Sequence, residues 1–360
     1  MNLTRGLILL AFTISLLGLQ ERDNPGKKTL IESLQTDSLR YDMYLLENEL
    51  GESEGYMAEI FTPVCHTNEC YPVYIDFYWD LLGNYLKYEI PEGELLTKLD
   101  HVPFDDEDHE KLQEILSNER SLLKDYKIEE LVGSTQTVAA NGVDAVTGAT
   151  LKTIKNEVID GAVYSCYTLW HLAHGEMAEK VKVHTEGLYS KALLIQFLES
   201  GHYPYQYWAI EKVINKDLYT DDKLSTAMLE VLLGDNIFLS SHLIKVLPEE
   251  VFTSLKRQVW LWQTMEKSPY KLQMKMLDKF NTLKLYPELQ IKLLEGLKEG
   301  NPAQQRKVYS VLKNQLNLSK SLQYQVLDYI KQGIWKDGLI ELLLGQNKLD
   351  KKIKKQLNTK

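Results

Sequence analysis

Seven residues offer the chain's most specific chemistry: Asp144-Ala145-Val146-Thr147-Gly148-Ala149-Thr150. Thr150 stands where a small, polar run, residues 133–149, gives way to apolar residues three or four apart: Leu151, Ile154, Val158, Ala162, Cys166, Leu169 and Ala173. That spacing predicts a helix from Thr150 to about His174-Gly175. The first backbone amides of such a helix have no partner within it. A phosphate carried by Thr150 would meet them, and the helix dipole favours an anion there by ~0.3–1 kcal/mol. Gly148 and Ala149 leave room for its approach, and Lys152 and Lys155 bring positive charge nearby. The plainer reading is a helix start at which Thr147 or Thr150 caps the first turn.

Cys65-His66 and Cys70 form a second set. A c-type haem site needs C-x-x-C-H, and Thr62 stands where its first cysteine belongs. Zinc would need a fourth ligand to which the sequence does not point. The expectation is a disulfide between Cys65 and Cys70 that closes a small loop, with Cys166 unpaired. A redox-active pair is the other thiol reading. His171 and His174 share a face of the expected helix, and no metal is assigned to them. Asp105-Asp106-Glu107-Asp108 lacks the glycine and spacing of a calcium loop. It reads as the start of a helix through Leu112, Ile115 and Leu116, where acid is favourable.

The seven residues resemble the D-x-x-[S/T]-G-A-T motif of FMN-binding domains in the flavin-carrying subunits of sodium-translocating NADH:quinone reductase and Rnf-type complexes. In that family a FAD:protein FMN transferase, using FAD and magnesium, joins FMN to the last threonine through a phosphodiester bond. The resemblance implies that Thr150 is the acceptor here. It implies that Asp144, Thr147, Gly148 and Ala149 are the sequence that the transferase reads. A flavin ring also needs an apolar wall. Tyr164 and Tyr167 on the following helix are candidates, as are Tyr74, Tyr78, Trp79 and Tyr85 further upstream. The implied function is an exported flavoprotein that relays electrons to or from a membrane or envelope redox partner. The alternative is a non-catalytic envelope scaffold that binds protein partners.

The elements that must position these residues follow from patterning. Residues 1–20 read as an export signal, with Arg5 before an apolar run from Leu7 to Leu19 that is short for a membrane span. The cleavage site is poorly marked, so an uncleaved N-terminal anchor is also open. A periplasmic or cell-envelope location is expected. Residues 21–55 read as an N-terminal segment, helical from about Leu30 to Leu50. Val73, Ile75, Phe77 and Trp79 alternate with polar or aromatic residues, and Leu86, Tyr88 and Ile90 follow after the turn signal at Asp80–Asn84. This is a β-hairpin with one buried face.

Residues 56–178 are assigned to the FMN-binding-like α+β domain. Residues 179–360 carry helical stripes about every 15–20 residues, broken at Leu247-Pro248, Ser268-Pro269, Tyr286-Pro287, Gly300-Asn301-Pro302 and Gly333. They suggest an all-α HEAT-like repeat domain, with a compact irregular helical domain as the other reading. The fold class is therefore α+β followed by all-α. The formal net charge of −10 argues against a nucleic-acid partner.

Overall fold

The computed structural model describes residues 26–64, 71–131 and 156–357. The chain divides into two units, Met1–Glu186 and Gly187–Lys360. The first holds an antiparallel sheet and helices, and the second is helical. Among the described residues no helix is long and apolar enough to cross a membrane.

The sheet runs in chain order: β1 (Lys27–Gln35), β2 (Arg40–Glu47), β3 (Ser53–Thr62), β4 (Val73–Trp79) and β5 (Tyr85–Glu89). Each strand pairs with the next, as short connections allow. One face is apolar and buried. Tyr41, Met43 and Leu45 of β2 lie beside Ile60, Ala58 and Tyr56 of β3, which lie beside Ile75, Phe77 and Trp79 of β4.

Residues 27–47 are therefore two strands, not the helix expected over Leu30 to Leu50. Leu30, Leu34, Leu45 and Leu46 happen to suit helical spacing. The buried set Tyr41, Met43 and Leu45 has period two, and its partners lie in β3, outside the segment. The expected hairpin is present, with Val73, Ile75, Phe77 and Trp79 buried. Its turn is held by Asp80, whose carboxylate accepts from the amides of Leu82 and Asn84 and from the Asn84 side chain.

Helices α1 (Asp106–Ser117), α2 (Val163–His174) and α3 (Glu176–Gly187) follow the sheet. Asp105 caps α1 and shares a capping box with Asp108, so the acidic run is a helix start. The buried sheet face is tied to α2 and α3 by polar bonds. The Trp79 indole donates to the Ala173 carbonyl at 2.7 Å, and the Tyr56 hydroxyl meets Thr185 Oγ1 at 2.8 Å. Lys180 of α3 pairs with Glu32, which also accepts from Tyr41.

The helix expected from Thr150 starts later. Residues 156–162 form turns, and α2 begins at Val163. Gly161 has φ of 78°, a left-handed conformation that suits glycine, and its carbonyl accepts from Leu99 N at 2.7 Å. Val158 and Ala162 are buried, but not as part of that helix.

The second unit is a series of helix pairs. Their first helices are α4 (Lys191–Glu199), α6 (Asp222–Glu230), α8 (Leu255–Lys267), α10 (Pro287–Glu299) and α12 (Lys320–Lys331). Their second helices are α5 (Tyr203–Asn215), α7 (Ile237–Val246), α9 (Tyr270–Phe280), α11 (Pro302–Lys313) and α13 (Lys336–Leu344), and α14 (Lys351–Leu357) follows. Successive first helices start 31–33 residues apart. From α4 onward, most helices touch their neighbour in sequence and the equivalent helix of the next pair.

The breaks read from the sequence coincide with the ends of α7, α8, α10 and α12, and Tyr286-Pro287 with the start of α10. Ser190, Asp221, Ser254 and Ser319 cap first helices by accepting main-chain N–H bonds. Buried glutamines stitch successive turns. Gln315 donates to Leu283 O and accepts from Leu285 N, and Gln346 donates to Gln315 O and accepts from Leu318 N.

Candidate functional site

Asp144, Thr147, Gly148, Ala149 and Thr150 lie outside the described residues, as do Cys65, Cys70 and the export segment. What the structure gives is the frame on either side of residues 132–155, and that frame is built on α2.

The inner face of α2 is apolar, with Cys166, Leu169, Trp170 and Ala173 buried. Three of its side chains grip the chain from the last turn of α1 to Leu123. The Trp170 indole donates to Asn118 O at 3.0 Å. His171 Nε2 lies 3.1 Å from Leu123 O, and His174 Nε2 lies 2.7 Å from Leu116 O. A carbonyl oxygen can only accept, so both imidazoles carry hydrogen on Nε2. Burial lowers the pKa of both histidines, which favours the neutral ring.

Tyr164 and Tyr167 are half-buried on α2, one turn apart. The Tyr167 ring lies against His171, with centroids 4.3 Å apart. Burial, and then the charges of Glu129 and Glu130, raise the Tyr167 pKa. Downstream of the motif, Glu157 accepts from Asn118 Nδ2 at 3.4 Å. The described residues on both sides of the motif thus pack beside α2 and the segment it grips.

The hairpin aromatics divide differently from the expected flavin wall. Trp79 is fully buried and Tyr85 is nearly so, with its hydroxyl bonded to Gln113. They belong to the core because period two groups them with Val73, Ile75 and Phe77. Tyr74 and Tyr78 lie on the opposite face of the sheet. Cys166 is fully buried, and its sulfur accepts from Ile159 N at 3.4 Å. Burial pushes this thiol up to about 12, so it is a neutral core group rather than a nucleophile. Among the described residues no three His, Cys, Asp or Glu side chains are grouped to hold a metal ion.

Two features escaped sequence reasoning. The first is a row of carboxylates across the outer face of the sheet. Asp42 pairs with Glu59, Glu59 with Asp76, and Asp76 with Glu89 on adjacent strands. Lys28 and Lys87 compensate Glu59 and Glu89, and Ser33 bonds Asp42. The pKa of Asp76 is raised by burial and by Glu59. Register creates this row, and register is invisible within one strand. The second is the set of buried glutamines. Gln258, Gln290 and Gln323 follow each other by 32 and 33 residues, a signal that was available in the sequence. No protein-family model, curated protein sequence or solved structure matches the chain.

Proposed function

We propose that this chain is an exported flavoprotein that carries FMN in phosphodiester linkage to Thr150 and relays electrons in the cell envelope. The observation that carries the reading is the run Asp144-Ala145-Val146-Thr147-Gly148-Ala149-Thr150. Thr150 supplies the hydroxyl for the bond. Asp144, Thr147, Gly148 and Ala149 form the sequence presented to a FAD:protein FMN transferase. FMN supplies one- and two-electron transfer, and a covalent tether prevents its loss from the envelope.

Tyr164 and Tyr167 support this reading, with half-buried rings on α2, the helix that follows the motif in the chain. Their role is to offer apolar surface, while the half-buried histidines of α2 hold the frame through Leu116 and Leu123. The helix pairs of the second unit support a HEAT-like reading of residues 187–357, with a docking surface for the membrane or envelope redox partner.

The test is coexpression of the exported chain with the transferase, read by intact mass and visible absorption. Wild-type protein gains the mass of one FMN, and Thr150→Ala gains none while keeping its circular dichroism. Thr150→Ser retains an acceptor hydroxyl, and Asp144→Ala lowers the modified fraction. A wild type that stays unmodified, or flavin that survives Thr150→Ala, defeats the proposal. The non-catalytic scaffold, which the regular helix pairs favour, then becomes the better reading.

A further inference from the structure

Gln258, Gln290 and Gln323 each stand four residues after the N-cap of a first helix, in three successive pairs. Two of them make the same clamp on the next turn of the chain. Gln258 donates to Lys284 O at 3.0 Å and accepts from Tyr286 N at 3.1 Å. Gln323 donates to Lys348 O at 2.8 Å and accepts from Asp350 N at 3.0 Å. Each carboxamide holds a carbonyl and the N–H two residues on, and Gln315 does the same with Leu283 O and Leu285 N. In this unit a buried glutamine is a receptor for extended backbone.

Gln290 departs from the pattern. Its Nε2 donates to Leu285 O at 2.9 Å, within its own pair. Its Oε1 is buried and has no partner, so it does not reach the Ser319 amide, which stands where Tyr286 and Asp350 stand for its counterparts. Gln290 is only 4% exposed, yet it borders a groove of about 630 Å³ with Phe252, Thr253, Leu283, Tyr286 and Pro287. Buried acceptors are almost always satisfied, and this one belongs to a side chain that borders a groove of ligand size.

We infer that this groove binds an extended peptide segment of a partner protein. Gln290 Oε1 accepts a backbone N–H of that segment, and the second hydrogen on Nε2 goes to the carbonyl two residues earlier. Phe252, Leu283, Tyr286 and Pro287 cover its side chains, and Glu249 and Glu250 on the border favour a basic residue. Main-chain bonds give such recognition its strength, and side-chain pockets give selectivity. The inference is independent of the flavin.

The experiment is a nuclear magnetic resonance titration of the full chain with two capped tripeptides. Acetyl-Lys-Val-Ala-N-methylamide offers the valine N–H, and acetyl-Lys-Pro-Ala-N-methylamide lacks it. The valine peptide gives saturable shifts at the Gln290 carboxamide and at the Tyr286 and Asn317 amides. The proline peptide binds about fivefold more weakly, the effect of one hydrogen bond, and Gln290→Leu loses the difference between the two. The inference is overturned by the absence of saturable shifts up to about 10 mM, or by equal binding of both peptides to the wild type. It is also overturned by a nuclear Overhauser contact in the free protein between the Ser319 amide and the Gln290 carboxamide, because the chain's own turn then fills the clamp.

Discussion

Gln258→Leu and Gln290→Leu make the same near-isosteric exchange at equivalent positions, yet they should differ sharply in effect. Gln258 makes three bonds to main chain: Phe252 O at 2.9 Å, Lys284 O at 3.0 Å and Tyr286 N at 3.1 Å. Each such bond contributes about 1 kcal/mol net, and a buried group left without its partner costs more. Phe252 is buried, while Lys284 and Tyr286 are exposed residues whose main-chain groups water reaches in part. The expected loss for Gln258→Leu is therefore ~2–3 kcal/mol.

Gln290→Leu loses one bond, to Leu285 O, and with it an acceptor that had no partner. These terms oppose each other and leave the variant within about 1 kcal/mol of the wild type. For a unit of this size the Gln258 loss lowers the melting temperature by ~4–12 °C. Urea unfolding followed by circular dichroism at the helical band reads both variants. Hydrogen exchange at the Tyr286 amide adds a local measure, because repeat arrays can open in parts. Equal losses in the two variants, or an unchanged Tyr286 amide in Gln258→Leu, would refute the reasoning.

Gly83→Ala should destabilise the first unit by ~2–4 kcal/mol in chemical denaturation. Its φ is 78°, and an added Cβ would lie 2.7 Å from the Ala178 carbonyl oxygen. Asp76→Asn should stabilise the protein near neutral pH. The folded pKa of Asp76 is raised, so its contribution is fully present below the unfolded pKa near 3.8 and is lost as pH rises through the folded value. Melting temperatures of the two proteins should converge on acidification, and an Asn variant less stable at pH 7 would contradict this account. Cys166 should resist alkylation in native protein at pH 8 and react on unfolding, as counted by mass, because its thiol is buried and its pKa is pushed up to about 12.

The hairpin of β4 and β5 was legible because Val73, Ile75, Phe77 and Trp79 declare one buried face within a single segment. Strands β1 and β2 were not, because leucines four apart imitate a helix and the deciding contacts lie in β3. The start of α2 was missed for a related reason. Val158, Ala162 and Cys166 keep a spacing of four across Asp160-Gly161, yet the chain turns there. In the second unit Pro, Gly and Asn marked the helix ends, since each acts through its own backbone. The glutamines are not legible as interior, because a polar residue on a helix reads as surface and only their partners reveal them. The candidate flavin site was legible as a motif, and its frame was not. Nothing in the sequence says that Trp170, His171 and His174 would grip main-chain carbonyls 48–58 residues away.

The clamps also act as a ruler. A carboxamide that must reach a fixed carbonyl and a fixed amide in the next turn tolerates no change in the number of residues between them. The connections from α9 to α10, α11 to α12 and α13 to α14 are each six residues long, 281–286, 314–319 and 345–350. The connections within pairs differ in length, from two residues at 268–269 to six at 231–236. Inserted sequence is therefore accommodated on the edge of the array that holds the within-pair turns. In the three clamped connections on the opposite edge, a single added residue would put the following helix out of step with its gauge.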